Sequence, residues 1–141
     1  MAFTGALEDR IHIRELVDTY NDAVNRKDTE AWTSTWAEDS VWDLMGTEFI
    51  GRETIVQAWK GAMAGFSYVG FTAFQGAMDI DGNKAEARFY VRETLIQLDG
   101  KKLDIQGLYQ DELRKIDGAW KFSKRVYSIL HQTTTEPEPT S

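Results

Sequence analysis

The stretch Phe89–His131, FYVRETLIQLDGKKLDIQGLYQDELRKIDGAWKFSKRVYSILH, decides the fold. It holds three runs rich in aromatic and branched residues, joined by Asp99-Gly100 and Asp117-Gly118. An Asp-Gly pair adopts the positive φ angles of a tight hairpin at little steric cost, so the runs are predicted to form an antiparallel meander. One face of that meander mixes apolar side chains with Glu93, Tyr109, Arg125 and Tyr127. Such a mixture reads more readily as the lining of a small-molecule pocket than as plain core.

Register decides which of these groups meet. A three-residue loop with a glycine bulge at Asp99-Gly100 pairs Leu95 with Leu103, Glu93 with Ile105, Val91 with Gly107 and Phe89 with Tyr109, the best apolar match. The same loop at Asp117-Gly118 sets Tyr109 against Arg125 and Gly107 against Tyr127, and turns Arg125 inward. A two-residue loop there leaves Arg125 in water and puts Trp120, Phe122 and Val126 on the apolar side. Both readings stand at this level.

Upstream, Leu7, Ile11, Leu16, Tyr20, Ala23 and Val24 recur at helical spacing, predicting a helix from about Ala6 to Arg26. Asp28 sits where a second helix needs its cap, and Ala31, Trp32 and Trp36 supply that helix with a stripe ending near Glu38-Asp39. A short hairpin follows over Ser40–Leu44 and Phe49-Ile50, then a third helix marked by Ile55, Ala58, Trp59, Ala62 and Met63 and stopped by Gly65. A fourth β-run, Tyr68–Ile80, precedes the meander, which begins at Lys84 after the turn at Asp81-Gly82. Runs this long accumulate twist, so the sheet is expected to curl with the helices over its concave side. Residues 1–6 are expected to be flexible. Residues 133–141, with Pro137 and Pro139 among Thr and Glu, are expected to form a disordered tail.

The 141 residues suit one domain with a sizeable core, supplied by five Trp, five Tyr and seven Phe. The net charge of -7 disfavours binding to phosphate backbones. With no cysteine and two separated histidines, the chain has no thiol nucleophile, disulfide or recognisable metal motif, and no metal or other cofactor is expected. Neither a basic-apolar leader nor a membrane-length apolar run is present, which fits a cytoplasmic protein.

The phrase Leu16-Val-Asp-Thr-Tyr20-Asn-Asp-Ala23-Val-Asn25-Arg-Lys-Asp28, the segment Trp36-Ala-Glu-Asp39 and the ending Asp117-Gly-Ala-Trp120-Lys-Phe-Ser-Lys-Arg125 resemble the SnoaL-like branch of the nuclear transport factor two-like superfamily. The likeness runs from about Leu7 to His131 and implies a single domain over 7–132. The implied fold is α+β, a cone-shaped, cystatin-like barrel in which a curved mixed sheet and three helices enclose a pocket. Family members include polyketide cyclases, dehydratases, a dehydrochlorinase, isomerases and proteins that only bind or scaffold, so fold alone selects no reaction. The dehydratase and dehydrochlorinase members use an Asp and a His as a proton-abstracting pair. Those positions fall here on Asn25 and Phe71, neither of which is a base. The family's pocket arginine matches Arg125, which favours its inward placement. Members often pair through the outer sheet face, implying a homodimer or homotrimer, with Trp120, Phe122, Tyr90 or Leu108 as contacts.

These readings give a candidate site. Glu93 interrupts the apolar row Phe89, Val91, Leu95 and is the candidate base, with Arg125 as its expected partner and as a holder of a carboxylate, phenolate or enolate. Tyr109, Tyr20 and Tyr127 are candidate donors to substrate oxygen. His131, continuing the row of Arg125, Tyr127 and Ile129, is a second candidate base at the rim. Asn25, Asp43, Phe71 and Ile105 complete the expected substrate contacts with Phe89 and Val91. Against each stands an ordinary reading: an ion pair for Glu93 and Arg125, core packing for the tyrosines, helix termination for Asn25 and solvation for Asp43. The reaction expected is elimination, isomerisation or ring closure started by proton transfer, on a small apolar, aromatic or polycyclic substrate. The alternative is a binding or scaffold protein of the same fold.

Overall fold

The computed structural model describes residues 2–139. Nine elements follow one another: α1 Leu7–Arg26, α2 Thr29–Ser34, β1 Trp36–Leu44, β2 Thr47–Ile50, α3 Arg52–Ala64, β3 Phe66–Asp81, β4 Lys84–Gln97, β5 Lys102–Ile116 and β6 Ala119–Thr135. The strands form one sheet in the order β2-β1-β6-β5-β4-β3. All neighbours are antiparallel except β1 and β6, which run parallel. The first and last strands in this order do not pair with each other, so the sheet is a curved, unclosed α+β cone rather than a closed barrel.

The first hairpin of the meander pairs Leu95 with Leu103, Glu93 with Ile105, Val91 with Gly107 and Phe89 with Tyr109, the register expected from the apolar match. The second differs. Asp117 and Gly118 both take positive φ, 50° and 81°, forming a two-residue turn that pairs Ile116 with Ala119. Trp120 and Phe122 therefore face the core, 4% and 0% exposed, and cannot serve as outer-face contacts. A bulge at Ser123 then resets the alternation, because Leu113 faces Phe122 while Glu112 faces Lys124. Arg125 and Tyr127 consequently turn inward as well, opposite Asp111 and Tyr109. The two-residue reading holds for Trp120 and Phe122, whereas the three-residue reading holds only in turning Arg125 inward: its pairs Tyr109–Arg125 and Gly107–Tyr127 are replaced by Asp111–Arg125 and Tyr109–Tyr127. The bulge that joins the two halves of β6 leaves no periodic trace.

Three further differences have local causes. The second helix stops at Ser34, not near Asp39: its Thr-Ser-Thr end is a poor helix former, and Phe122 N–H donates to Thr35 O at 2.9 Å, capturing the chain for the sheet. Thr133–Thr135, expected in the tail, continue β6 opposite Lys102–Asp104. At the other end, expected to be flexible, Thr4 N–H donates to Met78 O at 3.0 Å and Thr4 Oγ1 accepts from Ile80 N–H at 3.1 Å. Met1, Thr140 and Ser141 lie outside the described residues.

α1 and α3 cover the inner face of the sheet, and the core between them is largely aromatic. Trp32 of α2 stacks on Trp59 of α3 at 4.4 Å, and Tyr20 of α1 meets Trp32, Trp36, Phe71, Tyr109 and Phe122. Arg125 penetrates this cluster. Its Nε and Nη2 donate to Asp111 Oδ1 and Oδ2 at 2.8 and 3.0 Å, and both side chains are essentially fully buried. The guanidinium carbon lies 3.7 Å from the Tyr109 ring centre, 4.1 Å from that of Phe122 and 4.5 Å from that of Tyr20. Burial works against the guanidinium charge, but Asp111 with the Tyr20 and Tyr109 oxygens outweighs it and holds Arg125 above its ordinary pKa.

Removing one member of such a pair strands the other charge in the core, whereas replacing both with apolar groups does not. Asp111→Ala is expected to lower the free energy of unfolding by ~3–5 kcal/mol in urea titration. The double change Asp111→Leu with Arg125→Met should recover most of that loss. Equal losses in the single and double variants would contradict this account.

Candidate active site

Between the inner sheet face, α1 and α3 lies a cavity of about 220 Å³. Trp42, Trp59, Phe66, Phe71 and Ile105 contribute to its apolar wall, and Met45 and Met63 also line it. The residues with polar side-chain groups among those lining it are Glu93, Trp42, Tyr20, Tyr109 and Tyr127. Glu93 is the one charged residue among those lining it.

Two hydrogen-bonded groups divide the polar chemistry. On one side Tyr127 Oη donates to Glu93 Oε2 at 2.6 Å. Burial pushes the Glu93 carboxyl above its usual range, and the bond from Tyr127 offsets this only in part. Burial and the Glu93 charge together push the Tyr127 phenol well up, so it remains a proton donor. On the other side Trp42 Nε1 donates to Tyr109 Oη at 3.1 Å, and Tyr109 Oη lies 3.4 Å from Tyr20 Oη. Burial raises both of these phenols, that of Tyr109 well above its ordinary value. A hydroxyl that accepts one bond and is flanked by a stacked cation donates its own proton more strongly.

Gly107 of β5 makes this arrangement possible. A Cβ at this position would come within 2.5 Å of the Tyr127 ring, so only a residue without one lets Tyr127 lie flat across the strand. There it stacks on Tyr109 at 4.8 Å and extends its hydroxyl to Glu93.

The structure brings Tyr20, Phe71, Glu93, Ile105, Tyr109 and Tyr127 to the cavity. It removes the others. Arg125 does not reach the cavity and does not pair with Glu93, because the two-residue turn and the Ser123 bulge place it opposite Asp111. His131 lies opposite Gln106 on the outer face, since a second bulge at Leu130 inverts the alternation after Ile129. Asp43 Oδ1 accepts from Gly46 N–H at 2.8 Å, which ties it to the β1–β2 turn. Phe89 and Val91 are core residues that do not line the cavity. Asn25 is occupied by backbone: its Nδ2 donates to Phe71 O at 2.6 Å and its Oδ1 accepts from Phe71 N–H at 2.9 Å, stapling the end of α1 to β3.

Sequence reasoning missed Asp111 and Trp42. Asp111 continues the inward row Ile105, Gly107, Tyr109, so alternation alone marked it. Trp42 carried no chemical signal, because its role depends on where Tyr109 ends.

A curved sheet with helices over an apolar pocket defines the α+β cone class of proteins. Within it, residues 5–126 match the model of the SnoaL-like domain, and the chain belongs to that family, a branch of the nuclear transport factor two-like superfamily. No curated protein matches the sequence. Among solved structures, a candidate aromatic ring hydroxylase from Novosphingobium aromaticivorans is 26% identical, with 94% of this chain and 96% of that one aligned at a TM-score of 0.86. A hexachlorocyclohexane dehydrochlorinase is 19% identical over 96% and 94% of the two chains, with a TM-score of 0.85. A candidate scytalone dehydratase from the same Novosphingobium species is 18% identical over 94% and 91%, with a TM-score of 0.84. The latter two likenesses establish the shared fold. Among the described residues no helix is long and apolar enough to cross a membrane, and no group of three or more acidic or histidine side chains is placed to hold a metal.

Two stability outcomes follow from this geometry. Gly107→Ala is expected to destabilise the fold by ~1–3 kcal/mol through overpacking and to separate Tyr127 from Glu93, visible as loss of the Tyr109–Tyr127 stack in a crystal structure of the variant. For Glu93, a folded-state pKa above the unfolded value means that the ionised form is disfavoured by folding. Stability is therefore lost as pH rises from the unfolded pKa through the folded one. Glu93→Gln should unfold at a higher temperature than wild type at neutral pH, with the difference shrinking on acidification below the ordinary carboxylate range. A difference that grew on acidification would reverse the assignment.

Proposed function

We propose that the protein is a lyase or isomerase that needs no cofactor and acts by proton transfer on a small apolar, aromatic or polycyclic substrate. The observation that carries this reading is Glu93, a carboxylate with no cationic partner among the described residues, a raised pKa and an apolar cavity in front of it. A structural carboxylate is normally paired, and an unpaired one facing a cavity is suited to general-base work near neutral pH.

In this mechanism Glu93 takes a proton from a carbon beside a substrate carbonyl. The electron pair moves onto the carbonyl oxygen, where Tyr109, supported by Trp42 and Tyr20, donates a hydrogen bond. Protonated Glu93 then returns the proton to a different carbon, giving an isomer. Alternatively it passes the proton to a departing hydroxyl, giving water and an alkene. Arg125 acts only through the Tyr109 ring on which it stacks. The description of the 26% identical relative as a candidate aromatic ring hydroxylase is consistent with an aromatic ligand. The homodimer or homotrimer expected from the family would assemble through the outer sheet face, where Tyr90 remains 45% exposed.

A second reading is a binding protein that does not turn its ligand over. Asn25 and Phe71 favour it: they occupy the positions matched to the dyad, and the Asn25 amide is committed to the Phe71 backbone.

The test is incubation with a library of aromatic alcohols, ketones and polycyclic phenols, followed by mass spectrometry of bound and altered compounds. Turnover should fall by about 10²–10⁴-fold in Glu93→Gln. Its rising pH limb, set by Glu93 ionisation, should lie above the ordinary carboxylate range and move further up in Tyr127→Phe, which lacks the bond favouring the carboxylate. Turnover indifferent to Glu93 would remove the mechanism, and ligand recovered unchanged would establish the binding protein.

A further inference from the structure

The buried cation nearest the cavity is not available to a ligand. Two of the Arg125 nitrogens are held by Asp111, and the rings of Tyr20, Tyr109 and Phe122 pack against the guanidinium. Its remaining nitrogen, Nη1, has no hydrogen-bond partner and is fully buried in this aromatic surround, and Arg125 contributes nothing to the cavity surface. The one formal charge a ligand meets there is the carboxylate of Glu93.

We infer that the cavity selects uncharged ligands and excludes anions, with Glu93 as the residue that enforces the selection. The inference rests on the reading of the cavity as a ligand site and names the charge class of what enters it. An anion placed in this space gives up hydration, faces a like charge at short range in a weakly screening medium and gains no counter-charge in return. The hydroxyls do not supply one. The Tyr127 proton is directed at Glu93, and Tyr109 already accepts from Trp42. What is left to the ligand is the donor capacity shared by Tyr109 and Tyr20, which matches a neutral carbonyl or hydroxyl oxygen. The same donors stabilise partial charge that develops during a reaction, when the proton taken by Glu93 has neutralised the carboxylate. Selection is therefore against charge in the free ligand, not against charge formed after proton transfer.

This overturns the expectation that Arg125 would hold a carboxylate or phenolate. The family resemblance favours an arginine on the inner face, and in the structure Asp111 neutralises its charge.

Two probes of nearly equal shape separate the possibilities: 2-naphthalenesulfonamide, neutral at mildly alkaline pH, and 2-naphthalenesulfonate, an anion throughout. Affinities for the full-length protein are measured by isothermal titration calorimetry. The sulfonamide should bind, and the sulfonate should bind at least about tenfold more weakly. Glu93→Gln, shown to be folded by its thermal transition and its retained sulfonamide binding, should narrow the gap to about threefold or less. The inference is overturned if wild type binds the sulfonate as tightly as the sulfonamide, if the sulfonamide does not bind, or if the gap persists in the folded variant. The wild-type comparison decides the matter even if the variant does not fold. Charge selection without turnover of any library compound would leave this inference standing while removing base catalysis. Glu93-dependent turnover without charge selection would do the reverse.

Discussion

The buried pair of Arg125 and Asp111 is the constraint on which the rest of the structure depends. A guanidinium in an aromatic core is tolerated only where a carboxylate takes its hydrogen bonds and ring faces take its remaining surface, and this chain meets both conditions. The residues that do so come from α1, β5 and β6. The ion pair thus fixes the depth at which α1 sits over the sheet and the orientation of the Tyr109 and Tyr20 rings.

That arrangement separates two carboxylates by role. Asp111 is neutralised by the cation and buried with it. Glu93, on the neighbouring strand, receives one phenol hydrogen bond and no cation. Its environment therefore disfavours its charge, and the proposed role as a base rests on this. Had Arg125 turned toward Glu93, the result would have been an ion pair with no unpaired carboxylate at the cavity. The Ser123 bulge decides between these outcomes, because it sets the position of Arg125 along β6 relative to β5.

The glycine at 107 has a comparable effect at short range. It admits the Tyr127 ring into space a side chain would fill, and the ring in turn carries a proton donor to Glu93. A main-chain feature thereby sets the electrostatics of a group on another strand. Asn25 shows the opposite case: its side chain is taken up by backbone, joining α1 to β3 through Phe71 and donating to Asn21 O within α1.

The sequence by itself determined the element order, the three helices and the register of the first hairpin of the meander, because periodicity and Asp-Gly chemistry are local. Given that register, it also placed Glu93 and Tyr109 on one face, since alternation is counted along each strand, but it left the face of Tyr127 open between two registers. It did not determine where alternation resets. The bulges at Ser123 and Leu130 arise from fitting a long strand to curved neighbours, a demand set by the whole sheet, and they moved Arg125 to Asp111 and His131 to the outer face. The end of α2 at Ser34 likewise depended on pairing with Phe122, eighty-odd residues away in the chain. Only the tertiary structure decided which carboxylate the arginine neutralises, because that choice depends on distances between strands.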